Sequence, residues 1–164
     1  MHDILFAYFF WNSASCKFKI CPLYPTDDHA TTNTVGFHAQ LTKDITLGSA
    51  QTVIFDKVVT NIGNVYNPHT GHFTAPYDGA YYFASTFLEK GNGYLHLQMI
   101  RNSDEISRGH APSLTSAAGA GSMNAFVLLK KGDVVFVRHY VPAGAETIHN
   151  SWTFFTGYLV SKSS

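Results

Sequence analysis

The chain has 164 residues, zero net charge with histidine neutral, 13% charged residues and 15% aromatic ones. That length suits one domain with a sizeable core and is short for two. So many aromatics with so little charge exclude a disordered chain and favour β-structure. The absence of a basic excess excludes the footprint of a nucleic-acid binder, and Lys130–Lys131 reads as a solvated turn.

Ile4–Trp11 is an apolar run, far short of the roughly 20 residues that a membrane span needs. It has the size of the core of a secretory signal peptide. Ser13 and Ser15 stand where a cut before Cys16 would need small residues. Residues 1–15 are therefore a candidate leader, although no basic residue opens it and Asp3 has the wrong sign. A truncated or non-native leader is the competing reading. Cys16 and Cys21 are the only cysteines; they are close enough for a local disulfide, could link chains, or could do neither. Residues 22–34 are polar and rich in Pro and Thr, as in a linker. Residues 1–34 are thus leader and linker, and 35–164 the globular domain.

From Val35 the pattern is strand and turn, with no helical period. Expected strands are Val35–Leu41, Val53–Val59, His72–Ala75, Ala80–Glu89, Tyr94–Asn102, Ile106–His110, Ser122–Leu129, Asp133–Val141 and Trp152–Val160. The turns between them carry Asn67-Pro68, Asp78-Gly79 and Gly91-Asn92-Gly93. This spacing predicts a sandwich or jelly roll.

Tyr94–Asn102 alternates apolar with polar residues, as a strand wet on one face does. Three other strands are apolar on both faces. Tyr81, Phe83 and Phe87 oppose Tyr82, Ala84 and Leu88; Met123 and Ala125 oppose Phe126 and Leu128; Trp152, Phe154 and Tyr158 oppose Phe155 and Leu159. A two-layer sandwich covers one face of each sheet, so the second needs a cover such as neighbouring subunits. Tyr82, Phe126 and Phe155 are the candidates for that face.

Phe55, Asn61, Tyr66, Phe73, Gly79, Tyr81 and Phe83 also fall, with the required gaps, on the signature of the complement C1q globular domain, which the chain resembles. Gly36-Phe37-His38-Ala39 and the ending around Gly157 are similar to that family's first and last strands. Ser85 departs, standing where the family has an aromatic residue. The resemblance implies a ten-stranded antiparallel jelly roll that assembles as a homotrimer. In it the sheet near the three-fold axis contains Val35–Leu41, Ala80–Glu89, Ser122–Leu129 and Trp152–Val160. No collagen-like Gly-x-y run is present, so the chain looks like a head-only member.

No catalytic motif is found: no Gly-x-Ser-x-Gly, HExxH, P-loop or dinucleotide fingerprint. His69 and His72 flank a turn glycine and cannot form a helical ligand pair; His38, His96, His110, His139 and His149 are scattered. No cofactor is expected. Some relatives depend on calcium, but Asp104, Glu105 and Asp133 lack EF-hand-like spacing and read as turn charges. The resemblance implies a secreted, extracellular, non-enzymatic protein of innate immunity. It would be lectin-like, recognising glycans or other repeated surface patterns through Asn61–Asn67, Glu89–Tyr94, Asn102–His110 and Val141–Ser151 at one end of the sandwich. The alternative is a secreted signalling or organising ligand of the cerebellin, adiponectin or tumour-necrosis-factor type, which binds a protein receptor.

Overall fold

The computed structural model describes residues 34–90, 93–112, 119–141 and 143–163. The candidate leader, Cys16, Cys21, the linker up to residue 33 and residues 91–92 of the expected glycine turn lie outside the described residues. Eleven strands follow in chain order among the described residues: β1 (Gly36–Gln40), β2 (Ile45–Leu47), β3 (Lys57–Ile62), β4 (Tyr66–Asn67), β5 (His72–Thr74), β6 (Gly79–Glu89), β7 (Tyr94–Arg101), β8 (Asp104–Pro112), β9 (Ala120–Leu129), β10 (Val134–His139) and β11 (Glu146–Lys162).

They form two antiparallel sheets. The larger runs β3-β1-β11-β6-β9, with β2 on the first residues of β11; the smaller runs β4-β5-β10-β7-β8. The fold is the all-β jelly roll, with two short strands that the sequence did not announce. Both β2 and β4 have two or three residues, too few to show an alternation. Residues 53–56, expected to open a strand, lie outside one. Val53 and Phe55 are apolar because they plug the core from a connection, and both are fully buried. The last strand starts earlier than expected: residues 146–149, polar except for buried Ile148, read as loop but pair with β2 and β6.

Between the sheets lies a layer of rings. Phe37 stacks on Tyr66 at 4.6 Å and meets Phe155 edge-on at 4.9 Å. Phe73, from the smaller sheet, meets Phe83 at 5.0 Å. These spacings are those of favourable aromatic pairs. The signature residues of the sequence serve this layer. The Tyr66 hydroxyl donates to the Phe55 carbonyl and accepts its N–H, both at 3.2 Å. Asn61 ties its own turn, its Oδ1 accepting the N–H groups of Val65 and Tyr66 and its Nδ2 donating to the Tyr66 carbonyl. A Cβ on Gly79 would stand 2.4 Å from the Ser161 carbonyl oxygen, and one on Gly157 would stand 2.3 Å from the Phe83 ring. Ser85, where an aromatic was expected, is buried and donates to the Phe154 carbonyl at 2.9 Å, so its hydroxyl costs the core little.

Two irregularities matter for the surface. The β7–β8 register shifts between Met99 and Ile100, one extra residue being held on β8. The β6–β11 register shifts between His149 and Phe154, where Trp152 adopts a φ of 60°.

Phe83 is fully buried and touches Phe73, Tyr81 and Phe155. Phe83→Ala is expected to cost about 3–5 kcal/mol of stability, measured by denaturant unfolding. An unchanged midpoint would contradict the placement of this ring.

Candidate functional site

The three strands read as apolar on both faces, β6, β9 and β11, are neighbours in the larger sheet. Their outward side chains align across it. Phe126 pairs with Tyr82, Tyr82 with Tyr158, Tyr158 with Gly36 and Gly36 with Ile62. The rings of Tyr82 and Tyr158 lie 5.7 Å apart, and a Cβ on Gly36 would press on the Tyr158 Cβ at 3.1 Å. Phe126 is 66% exposed and Leu128 70%. Further along, the face turns polar, with Asn124, Ala84, Thr156 and His38 in one row. Clustered exposed apolar groups mark an interaction surface.

Phe155 does not belong to this face, and its candidacy is corrected. It is fully buried and packs on Phe37, Phe55 and Phe83. Strand alternation puts Phe154 and Tyr158 outward instead.

The four expected ligand segments do not form one cluster. Asn61–Asn67 lies at the rim that carries the β5–β6 and β9–β10 turns, beside an open hollow of about 630 Å³ lined by Asn64, Tyr66, Asn67, His72, Pro76 and Lys131 among others. Residues 89 and 90 belong to the opposite rim, where the Glu89 N–H donates to the Gly119 carbonyl and the Lys90 N–H to the Thr147 carbonyl. Most of Asn102–His110 is not loop but strand β8, and residues 146–151 belong to β11. Pro142 lies outside the described residues. Trp152, on the β11 bulge, is 80% exposed in a left-handed conformation, unusual for so large a side chain.

The carboxylates considered for calcium are engaged by the chain's own donors. Asp104 meets Arg101 at 3.1 Å, and Glu105 meets Gln98 and, at 2.9 Å, Arg108. Asp133 accepts from Asn102 Nδ2 and from the Lys130 N–H. His69 is exposed, while His72 packs its ring on Phe136 at 4.7 Å; burial lowers its pKa. Among the described residues, no three or more His, Cys, Asp or Glu converge to hold a metal ion.

A ring cluster on the outer face of the smaller sheet escaped the sequence reading. His96 and His110 pair across β7 and β8 with centroids 4.6 Å apart. Tyr94 stacks on His110 at 5.6 Å, Tyr140 lies 6.2 Å from His96, and Arg108 sits over Tyr140 at 4.5 Å. Behind them Glu146 accepts from His96 Nδ1 at 2.8 Å and from buried His139 at 2.9 Å. Burial would raise the Glu146 carboxyl, but hydrogen bonds from the His96 side chain and backbone and from His139 hold it below the usual range. The available signal was the alternation that turns His96 outward; the partner strand's register was not readable.

The family model described as "C1q domain" matches residues 36–160. The chain is 31% identical over 144 residues to "Heavy metal-binding protein HIP" of Mytilus edulis, covering 87% of this chain and 68% of that protein. It is 28% identical over 110 residues to "Complement C1q tumor necrosis factor-related protein 3" of Homo sapiens, covering 66% of this chain and only 44% of that one. The globular domain of zebrafish complement 1qA superposes with a TM-score of 0.68 at 19% identity, covering 79% of this chain and 99% of that one. Murine APRIL at pH 5.0 gives 0.63 at 14% identity, covering 77% and 99%. These structural likenesses concern the fold.

The first rim is tied by ionised carboxylates. Asp78 accepts from the Lys131 N–H at 2.7 Å and pairs with Lys130 at 3.1 Å, and hydrogen bonds hold Asp78 and Asp133 below the ordinary carboxylate range. Lowered pKa values contribute stability above the unfolded value of about 3.9 that is lost as pH falls through the folded value. The melting temperature is therefore expected to fall between about pH 5 and pH 3, and less steeply in Asp78→Asn. Equal slopes in scanning calorimetry would remove Asp78 from this role.

Proposed function

Because the chain belongs to the C1q-domain family, whose members are non-enzymatic recognition or ligand proteins, we propose that it is a secreted homotrimeric recognition protein, lectin-like, which presents its loop rims to glycans or other repeated surface patterns in innate immunity. The observation that carries this reading is the outward row Phe126–Tyr82–Tyr158. Fully burying each such side chain is worth about 1.5–3 kcal/mol, and a three-fold assembly would cover three copies of the face at once. The likeness to complement C1q and C1q/tumour-necrosis-factor-related proteins supports the extracellular placement.

A trimer also supplies what a weak site needs. Linked binding events raise avidity by about 10²–10⁴ when ligand spacing matches. The rims offer amides and hydroxyls for a sugar's polar groups, and the side chains of Asn64 and Asn67 stand beside the open hollow. The heavy-metal binding in the name of the mussel relative adds a property to test on this chain and carries no weight for the lectin reading.

Two measurements decide. In sedimentation equilibrium at micromolar protein, the chain is expected as a trimer of its 18.1 kDa protomer, and Phe126→Asp or Tyr82→Asp is expected to shift it to monomer with its melt largely preserved. If both variants remain trimeric, this face is not the contact between protomers. On a glycan array the trimer is expected to give saturable signals that free sugar competes away. Silence across the array, together with tight binding to one membrane protein, would move the chain to the receptor-ligand class.

A further inference from the structure

One side chain stands apart from the polar groups of the rims. Trp152 is 80% exposed, more than any other large apolar side chain among the described residues. Its φ of 60° is left-handed, a conformation that bulky residues avoid.

The surrounding bonds hold it there. Residues 150–153 of β11 stand opposite Phe87 alone, so β11 bulges at this point. Thr153, 1% exposed, closes the bulge. Its Oγ1 accepts the Leu88 N–H at 3.1 Å and donates to the His149 carbonyl at 2.6 Å, while its own carbonyl accepts the Leu41 N–H at 3.2 Å. Asn150 fixes the other side, its N–H donating to Asp44 at 2.9 Å and its Nδ2 to the Thr42 carbonyl at 3.0 Å. Trp152 is thus displayed by a built turn, and a strained residue that its neighbours keep strained points to a function.

The surroundings of the ring select its ligand. Asp44, tied to the bulge through Asn150, pairs with Lys90 at 2.6 Å. Bonds from Lys90 and from the Asn150 N–H hold the Asp44 carboxyl below its usual range, and His149 Nδ1 stands 3.8 Å from the same carboxylate. An ammonium carries three N–H groups and a carboxylate about four lone-pair sites, so this pair keeps capacity for hydroxyl groups. Its two charges cancel, which gives an acidic sugar no net attraction. A protein partner would want a contiguous apolar patch around the indole. Instead, the polar row of His38 and Asn124 and a second row, Gln40–Phe154–Thr86–Ser122, lie between Trp152 and the apolar row of Tyr82 and Phe126.

We propose that Trp152 is the stacking platform of a carbohydrate site, on which a neutral pyranose lays the C–H face of its ring while its hydroxyls bond to Lys90 and Asp44. A flat indole matches that face and loses little conformational freedom on binding. The inference rests on the lectin reading and gives it a sugar class.

The test joins the glycan array to the intrinsic fluorescence of the full chain, whose tryptophans are Trp11 and Trp152. The titrants are methyl β-galactoside and methyl α-mannoside, with sialic acid as the acidic control. At least one neutral glycoside is expected to shift the emission saturably, and sialic acid to leave it unchanged. Trp152→Gly suits the left-handed backbone. It is expected to abolish the shift and weaken array binding at least about 10-fold, while the chain stays trimeric and melts no lower than wild type. Trp152→Phe is expected to keep part of the array binding. Array signals that Trp152→Gly leaves intact would overturn the inference while the lectin reading stands. So would emission that neither neutral glycoside moves, or signals from acidic glycans alone. A monomeric Trp152→Gly would overturn it too, placing the ring between protomers. An array silent for the wild-type chain would instead remove the lectin reading, and this site with it.

Discussion

The ring of Phe83 occupies the space that a side chain at residue 157 would fill, since a Cβ there would stand 2.3 Å from it. The bare backbone of β11 thus lets β6 seat an aromatic ring directly against it, and Phe83 pairs with Gly157 in the ladder. From that seat the ring reaches Phe73 in the other sheet at 5.0 Å. The inner contact sets the outer surface as well. Once Phe83 points inward, alternation turns Tyr82 outward, and the same register brings Tyr158 and Phe126 to either side of it. The apolar outer row is therefore tied to the core by the pleat of three adjacent strands, and cannot be hidden by adjusting one protomer alone.

Much of this was readable in the sequence because it depended on a period of two. The long strands β6, β7 and β9 each carry enough residues to sort their positions into two alternating sets, and on β7 the polar set also marks the outer face. The family signature was readable for another reason: Asn61, Gly79 and Gly157 meet backbone-level demands that few other residues satisfy. Phe155 shows the limit. Its strand is apolar on both faces, so parity separates two sets without naming the outer one; only its packing on Phe37 and Phe83 decides. Short strands and buried connections were illegible for want of length. Val53 and Phe55 look like strand residues because a core plug and a strand select the same side chains.

The two sheets divide their exposed chemistry. The larger presents apolar rings with few donors, and the smaller presents imidazoles, phenols and paired charges. The rims between them are held by short side-chain-to-backbone bonds, as at Asp78 and Asn61, which stiffens the turns that flank the open hollow. A domain arranged in this way can lend one face to its own copies and keep another for solvent and ligands.

The single extra residue on β8 governs which groups the smaller sheet displays. The hairpin opens at Arg101 opposite Asp104, and an uninterrupted ladder from that turn would set His96 against Gly109. The shift between Met99 and Ile100 moves the partner by one position, so that His110 stands there instead and Gly109 faces inward against the Phe87 ring. Although β8 is an edge strand, it is not free to slip: a Cβ at the position of Gly109 would stand 2.6 Å from the Phe87 ring, so moving the register by one residue would drive the side chain of Arg108 or His110 into the core. The kink and the one bare position behind it thus lock each other, and an outer face that looks adjustable is fixed from within.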